Sequence, residues 1–186
     1  GFIDYVKANA DKITMANAGV GAASHLCGML FMQALEAPIV TVPYKGTGPA
    51  MTDLLGGQVD IMCDQTTNTA EQIKGGTVKA YAVTSPARLD VLPDLPTAAE
   101  LSLPGLEVGI WHGIYTPKGT PAEAIDKLTA ALQAALADPG VAGKMAELGT
   151  APVAADQATG AALKAKLEAE IARWKPVIET AGVYAD

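Results

Sequence analysis

Val42-Pro43-Tyr44-Lys45-Gly46-Thr47-Gly48-Pro49-Ala50-Met51-Thr52-Asp53-Leu54-Leu55-Gly56-Gly57-Gln58-Val59-Asp60-Ile61-Met62-Cys63-Asp64 reads as strand, turn, helix, turn and strand. Val40–Val42 end a β-rich run that Pro43 stops. Lys45 to Gly48 form a flexible loop, and Pro49 sits where a helix takes its first residue. Gly56-Gly57 closes the helix, and Val59–Cys63 is a second buried strand that ends on Asp64. Such a βαβ unit gathers its polar groups at the carboxyl ends of its strands, where loops and helix amino termini meet.

The pattern continues on both sides. Residues 2–10 have helical spacing, Ile13–Ala16 is a short strand, and Asn17-Ala18-Gly19-Val20-Gly21 turns into a helix over 22–35. A short helix is predicted over 71–74 and a buried strand over 78–83. This alternation predicts an α/β fold with a mainly parallel sheet flanked by helices. A proline-punctuated stretch (Pro86, Pro93, Pro96, Pro104) is expected to form an ordered excursion over the surface. Leu106–Thr116 reads as a long strand crossing between two lobes. Three helices then follow, opened by Pro121, broken at Asp138-Pro139, and bent or stopped near Pro176. They lack strands of their own to pack on, so they need a partner surface.

Composition narrows the function. The 186 residues carry 13 Lys and Arg against 20 Asp and Glu, a net charge of -7. That excludes a broad nucleic-acid surface, which needs a basic field. It leaves room for a small anion, because local backbone amides can hold one. No apolar run reaches membrane-span length, and no signal sequence is read before Gly1, which leaves the compartment open because an export signal can be removed. Cys27 and Cys63 are too few for a disulfide scaffold and are read as buried free thiols, a bridge being the alternative.

Three places hold the candidate ligand groups. The loop Gly19–His25 offers the amides of Gly21, Ala22, Ala23 and Ser24, with the Ser24 hydroxyl, at a helix start suited to a carboxylate or phosphate. Its bland counterpart is a capped glycine turn that binds nothing. Lys45, in its glycine loop with Gly46, and Asp64 stand at the strand ends, where they would take an anion and a hydrogen-bond donor; alternatively they are a solvent-facing ion pair. Ser24 and His25 are neighbours on one helix and point apart, so they make no nucleophile–base pair. His25 is read as a helix-surface or interface residue. Two histidines and two cysteines give no metal-ligand spacing, and no cofactor or catalytic residue is expected.

Several motifs in order carry a resemblance: Asn17–Gly21 with Ser24-His25-Leu26, Val42–Ala50 with Asp53–Asp60, Ala82–Ser85, Leu92–Thr97, Pro117–Pro121 and Glu170–Ile178. Together these resemble the extracytoplasmic solute receptors of tripartite tricarboxylate transporters, the Bug-type receptors. The resemblance implies a type II periplasmic-binding-protein-like fold. Residues 1–110 would be the second lobe, and 111–186 a crossover strand with C-terminal helices of an incomplete first lobe. It also implies a periplasmic, non-enzymatic receptor that captures a di- or tricarboxylate, aromatic acid or acidic amino acid for membrane transporter subunits. Gly19, Gly21, Ala22, Ala23, Ser24, His25, Lys45, Gly46 and Asp64 are the matching ligand positions. Helices without a partner surface would favour a homodimer or domain swap. The competing readings are a small α/β enzyme using Cys63 or His25 and a self-associating module without ligand.

Overall fold

The computed structural model describes residues 1–182, which divide into two compact units, Gly1–Ile110 and Trp111–Thr180. The first runs α1 (Phe2–Ala8), β1 (Thr14–Asn17), α2 (Ala23–Leu35), β2 (Val40–Pro43), α3 (Thr47–Leu55), β3 (Ile61–Met62) and α4 (Thr66–Lys74). Its sheet is parallel in the order β2-β1-β3, with Met15 opposite both Thr41 and Ile61. The chain leaves β1 for one edge through α2, then crosses to the other edge through α3. Right-handed crossovers in opposite directions place those helices on opposite faces.

The core follows from the period of two along β1. Met15 joins Val6, Ile13, Leu35, Ala37 and Ile39 on the α1 and α2 side. Ala16 faces the other way and packs with Ala50 of α3 and Val59. Below the ladder, Asp60 extends the pairing: its carboxylate accepts from the Thr14 amide (2.8 Å) and hydroxyl (2.9 Å).

Several elements depart from the expected ones. The strand over 59–63 shortens to Ile61–Met62, because only Met15 and Ala16 of β1 lie opposite it. Residues 78–83 form no strand: Val83 alone makes a parallel bridge, to Thr97. The long strand over 106–116 is also absent; Val108 bonds Thr84, and beyond it Ile114 and Tyr115 are exposed. Extended backbone becomes a strand only where a neighbouring strand completes its hydrogen bonds. Helix α3 starts at Thr47, so Pro49 is its third residue, where its missing N–H is still one the helix does not use. Helix α4 starts five residues before the predicted 71–74.

The predicted free thiols are instead joined. Cys27, one turn into α2, and Cys63, just past β3, form a disulfide with Cα atoms 6.1 Å apart. The proline-rich excursion is ordered as expected. Arg88 grips the Glu100 carboxylate through Nε (3.1 Å) and Nη2 (2.9 Å), and Glu100 accepts the Thr97 amide. The bonds from Arg88 first, and from Thr97, pull the Glu100 carboxyl down to about 2.

The second unit holds α5 (Ala122–Ala137), α6 (Pro139–Glu147) and α7 (Gly160–Ala181). Asp138 caps α6 by accepting from the Gly140 and Val141 amides, with Pro139 in the first helical position. Pro176 lies inside α7, which continues to Ala181 rather than stopping there. None of the three helices buries a residue, and Ile125, Leu128 and Ile171 are exposed.

Leu35, 2% exposed at the end of α2, anchors the first core cluster. Leu35→Ala is expected to lower the stability of the Gly1–Ile110 unit by about 3 kcal/mol, within the range for buried leucines. Urea unfolding followed by circular dichroism reads this, and a loss below about 1 kcal/mol would contradict the packing described.

Candidate functional site

The three strand ends point the same way because the strands are parallel. Order β2-β1-β3 makes the gap between β1 and β3 a topological switch point, where α/β folds keep their ligand crevices. A small open depression lies there, lined by Ala23 and Ser24 of α2, the Cys27–Cys63 disulfide, Asp64, Gln65 and Thr84.

Its first wall is built by a loop that α2 itself holds. The Ser24 hydroxyl oxygen accepts from the Ala18 amide (2.8 Å), and the Asn17 carboxamide oxygen accepts from the Gly19 amide (3.0 Å). His25 Nδ1 accepts from the Gly21 amide (3.3 Å), and the Gly19 carbonyl accepts from Ala22. Gly19 has φ +120, and a Cβ there would meet the Tyr44 carbonyl oxygen at 3.3 Å, so this turn requires glycine. The amides of Gly21 and Ala22, expected to be open, are therefore spent inside the loop. Those of Ala23 and Ser24 open the helix and have no hydrogen-bond partner among the described residues.

The opposite wall is the turn after β3. Asp64 Oδ2 accepts from the Thr47 hydroxyl (2.7 Å), while Oδ1 accepts from the Gln65 amide (2.6 Å) and Asn68 Nδ2 (3.1 Å). Asp64 thus ties the start of α3 to the start of α4, rather than pairing with Lys45. Lys45 is exposed, and neither it nor Gly46 lines the depression. Of the predicted residues, the structure brings Ala23, Ser24 and Asp64 together; Gly19, Gly21, Ala22 and His25 support the first wall from behind.

Sequence reasoning missed Thr47, Gln65, Asn68 and Thr84, and ranked the disulfide below free thiols. Thr84 follows a strand-like run, as Asn17 and Asp64 do, and that shared position was the available signal. The enzyme reading finds no nucleophile here. Cys63 is oxidised, Ser24 serves Ala18, and His25 serves Gly21. Among the described residues no cluster of His, Cys, Asp and Glu is arranged to hold a metal, and no helix is long and apolar enough to cross a membrane.

His25 is buried, 6% exposed, and not a surface or interface residue as expected. Burial pushes its pKa below the ordinary 6.5. As acceptor from Gly21, its Nδ1 must be unprotonated. The unfolded chain then binds more protons between the two pKa values, so this contribution is complete above 6.5 and is lost as pH falls through the window beneath it. Urea unfolding at pH about 7.5 and about 5.5 should show lower stability at the acid value. His25→Gln, which keeps an acceptor and does not titrate, should reduce that difference; an unchanged difference would remove His25 as its source.

The chain is similar to known proteins over most of its length. Residues 1–183 match the tripartite tricarboxylate transporter family receptor. A UPF0065 protein in the TAR-I ttuE-ttuC' intergenic region of Agrobacterium vitis is 55% identical over 177 residues, 95% of this chain and 51% of that protein. The periplasmic binding protein BugD superposes with a TM-score of 0.92 at 55% identity, covering 100% of this chain and 62% of that one. MatC from Rhodopseudomonas palustris, solved with bound malate, gives 0.90 at 38% identity over 95% of this chain and 60% of its own. A second R. palustris protein, solved with adipate, gives 0.88 at 31% identity over 98% of this chain and 60% of its own. The chain thus spans about half the length of that curated relative. The match extends through both units, and the chain belongs to the tripartite tricarboxylate transporter receptor family.

Proposed function

We propose that this chain is the ligand-binding part of an extracytoplasmic, periplasmic receptor that captures a small dicarboxylate for membrane transporter subunits. The depression at the β1/β3 switch point carries the reading: there the first-turn amides of α2 face the Cys63–Gln65 turn. One carboxylate is assigned to the Ala23 and Ser24 amides, where the helix dipole favours negative charge. The side-chain amide of Gln65 meets the other end of the ligand, while the Thr84 hydroxyl, which donates to the Val108 carbonyl, lines the depression without a proton to offer. Asp64 acts by holding this wall in place. Malate and adipate in two related structures favour a dicarboxylate over an aromatic acid or an amino acid.

In this reading, residues 1–110 form one wall of a two-lobed cleft, and residues 111–186 belong with the opposite lobe. The remainder of that lobe corresponds to the part of the relatives that this chain does not span.

Calorimetric titration of the receptor, in the length its gene encodes, should give saturable heat with malate or adipate. Benzoate and aspartate serve as the aromatic and amino-acid comparisons. Binding only to one of these two would reassign the ligand, and no heat with any carboxylate would sink the proposal. Ser24→Ala removes the acceptor for the Ala18 amide and should weaken binding about tenfold, the equivalent of about 1.4 kcal/mol. Asp64→Ala frees three donors at once and should cost at least as much. Unaltered affinity in both variants would place the ligand elsewhere.

A further inference from the structure

The two walls of the depression are each well held, but separately. On the α2 side, Ser24 and His25 bond only to their own loop, at Ala18 and Gly21. On the other side, Asp64 bonds to Thr47, Gln65 and Asn68, which belong to α3, α4 and the turn itself. Strand β3 offers little help, since its two residues pair only with Met15 and Ala16, and Cys63 lies just past that ladder. Among the described residues no hydrogen bond runs from the first turn of α2 to the 63–65 turn. The Cys27–Cys63 disulfide makes that connection, and both its cysteines line the depression.

We propose that the Cys27–Cys63 disulfide is the positioning strap of the binding site, so that its reduction weakens ligand binding while the Gly1–Ile110 unit stays folded. This rests on reading the depression as the ligand site. Cys27 is buried, but Cys63 is half-buried, which gives a small thiol a sulfur to attack. Dithiothreitol would convert the bridge to two thiols, the protein gaining two electrons and two protons while the reagent closes to its own cyclic disulfide. Because coupling between two equilibria is reciprocal, a ligand that prefers the bridged form must also make the bridge harder to reduce.

The test compares oxidised and dithiothreitol-reduced receptor, with thiols counted and folding checked by circular dichroism. Malate and adipate are the probes. Reduction should weaken binding about tenfold, and saturating ligand should then lower the reduction potential by about 30 mV, the same factor expressed for a two-electron couple. Amide hydrogen exchange should quicken on reduction at residues 18–25 and 63–68, with the strands still protected. The double variant Cys27→Ser/Cys63→Ser should bind like the reduced protein and ignore dithiothreitol.

Equal affinity in both redox states, or exchange unchanged at those segments, would overturn the strap. So would loss of the whole fold on reduction, which would make the bridge a general staple. If neither probe binds the oxidised protein, the dicarboxylate reading fails. Hydrogen exchange then decides the strap by itself, because that measurement needs no ligand.

Discussion

Thr14–Asn17 are hydrogen-bonded along both edges, to Val40–Pro43 on one side and Ile61–Met62 on the other, and the walls of the site hang from these strand ends. A parallel pair cannot be joined by a tight hairpin, so each connection must cross a face of the sheet as a helix. That requirement delivers the amino termini of α2 and α3 to the same edge. The ladder also fixes which side chains face which core. A shift of one residue would exchange Met15 and Ala16, driving a methionine into the space that Ala50 and Val59 fill. At the ladder's end, the Tyr44 amide donates to the Asn17 carbonyl, which places the second loop against Gly19.

An anion site on a chain of net charge -7 needs a local field that opposes the global one. Helix termini supply it over a few ångströms, and salt screens the distant acidic groups more than these near dipoles. Asp64 at first looks like an obstacle to an anionic ligand. Its carboxylate, however, accepts from a hydroxyl, an amide and a carboxamide, so its charge is already met by donors. This side chain organises the wall, and in the proposed reading the open amides of α2 set the sign of the ligand.

The 42–64 unit was legible because glycine and proline mark its boundaries and its apolar residues have a clear period. Positions beyond local pattern were not. Residues 78–83 and 106–116 have strand composition, but strandedness belongs to a pair, and the partner cannot be read from one segment. Pro49 was a sound signal misplaced by two residues, since the whole first helical turn tolerates a missing N–H. Two cysteines are too few to mark a disulfide scaffold, so composition favours free thiols over a bridge between Cys27 and Cys63. Only the parallel pairing of β1 with β3 brings the first turns of α2 beside Cys63. The reading of His25 as a helix-surface or interface residue fails because its buried acceptor role depends on the Gly19–Gly21 turn folding back onto it, which helix periodicity does not show.

The two units differ in what holds them. The first has a sheet with a core cluster on each face, a disulfide and the Arg88–Glu100 clasp. The second has helices whose apolar side chains such as Ile125 and Ile171 remain exposed, whose ion pairs lie along the helix surface, and which Gln133 of α5 ties to the Ala158 carbonyl. Surface pairs at such spacing contribute a few tenths of a kcal/mol each, roughly, far less than burying one leucine. Local stability should therefore be concentrated in residues 1–110. A binding wall made of open amides must hold them at fixed directions before the ligand arrives, since any ordering left to the moment of binding subtracts from affinity. The stiff unit is the one that carries the depression.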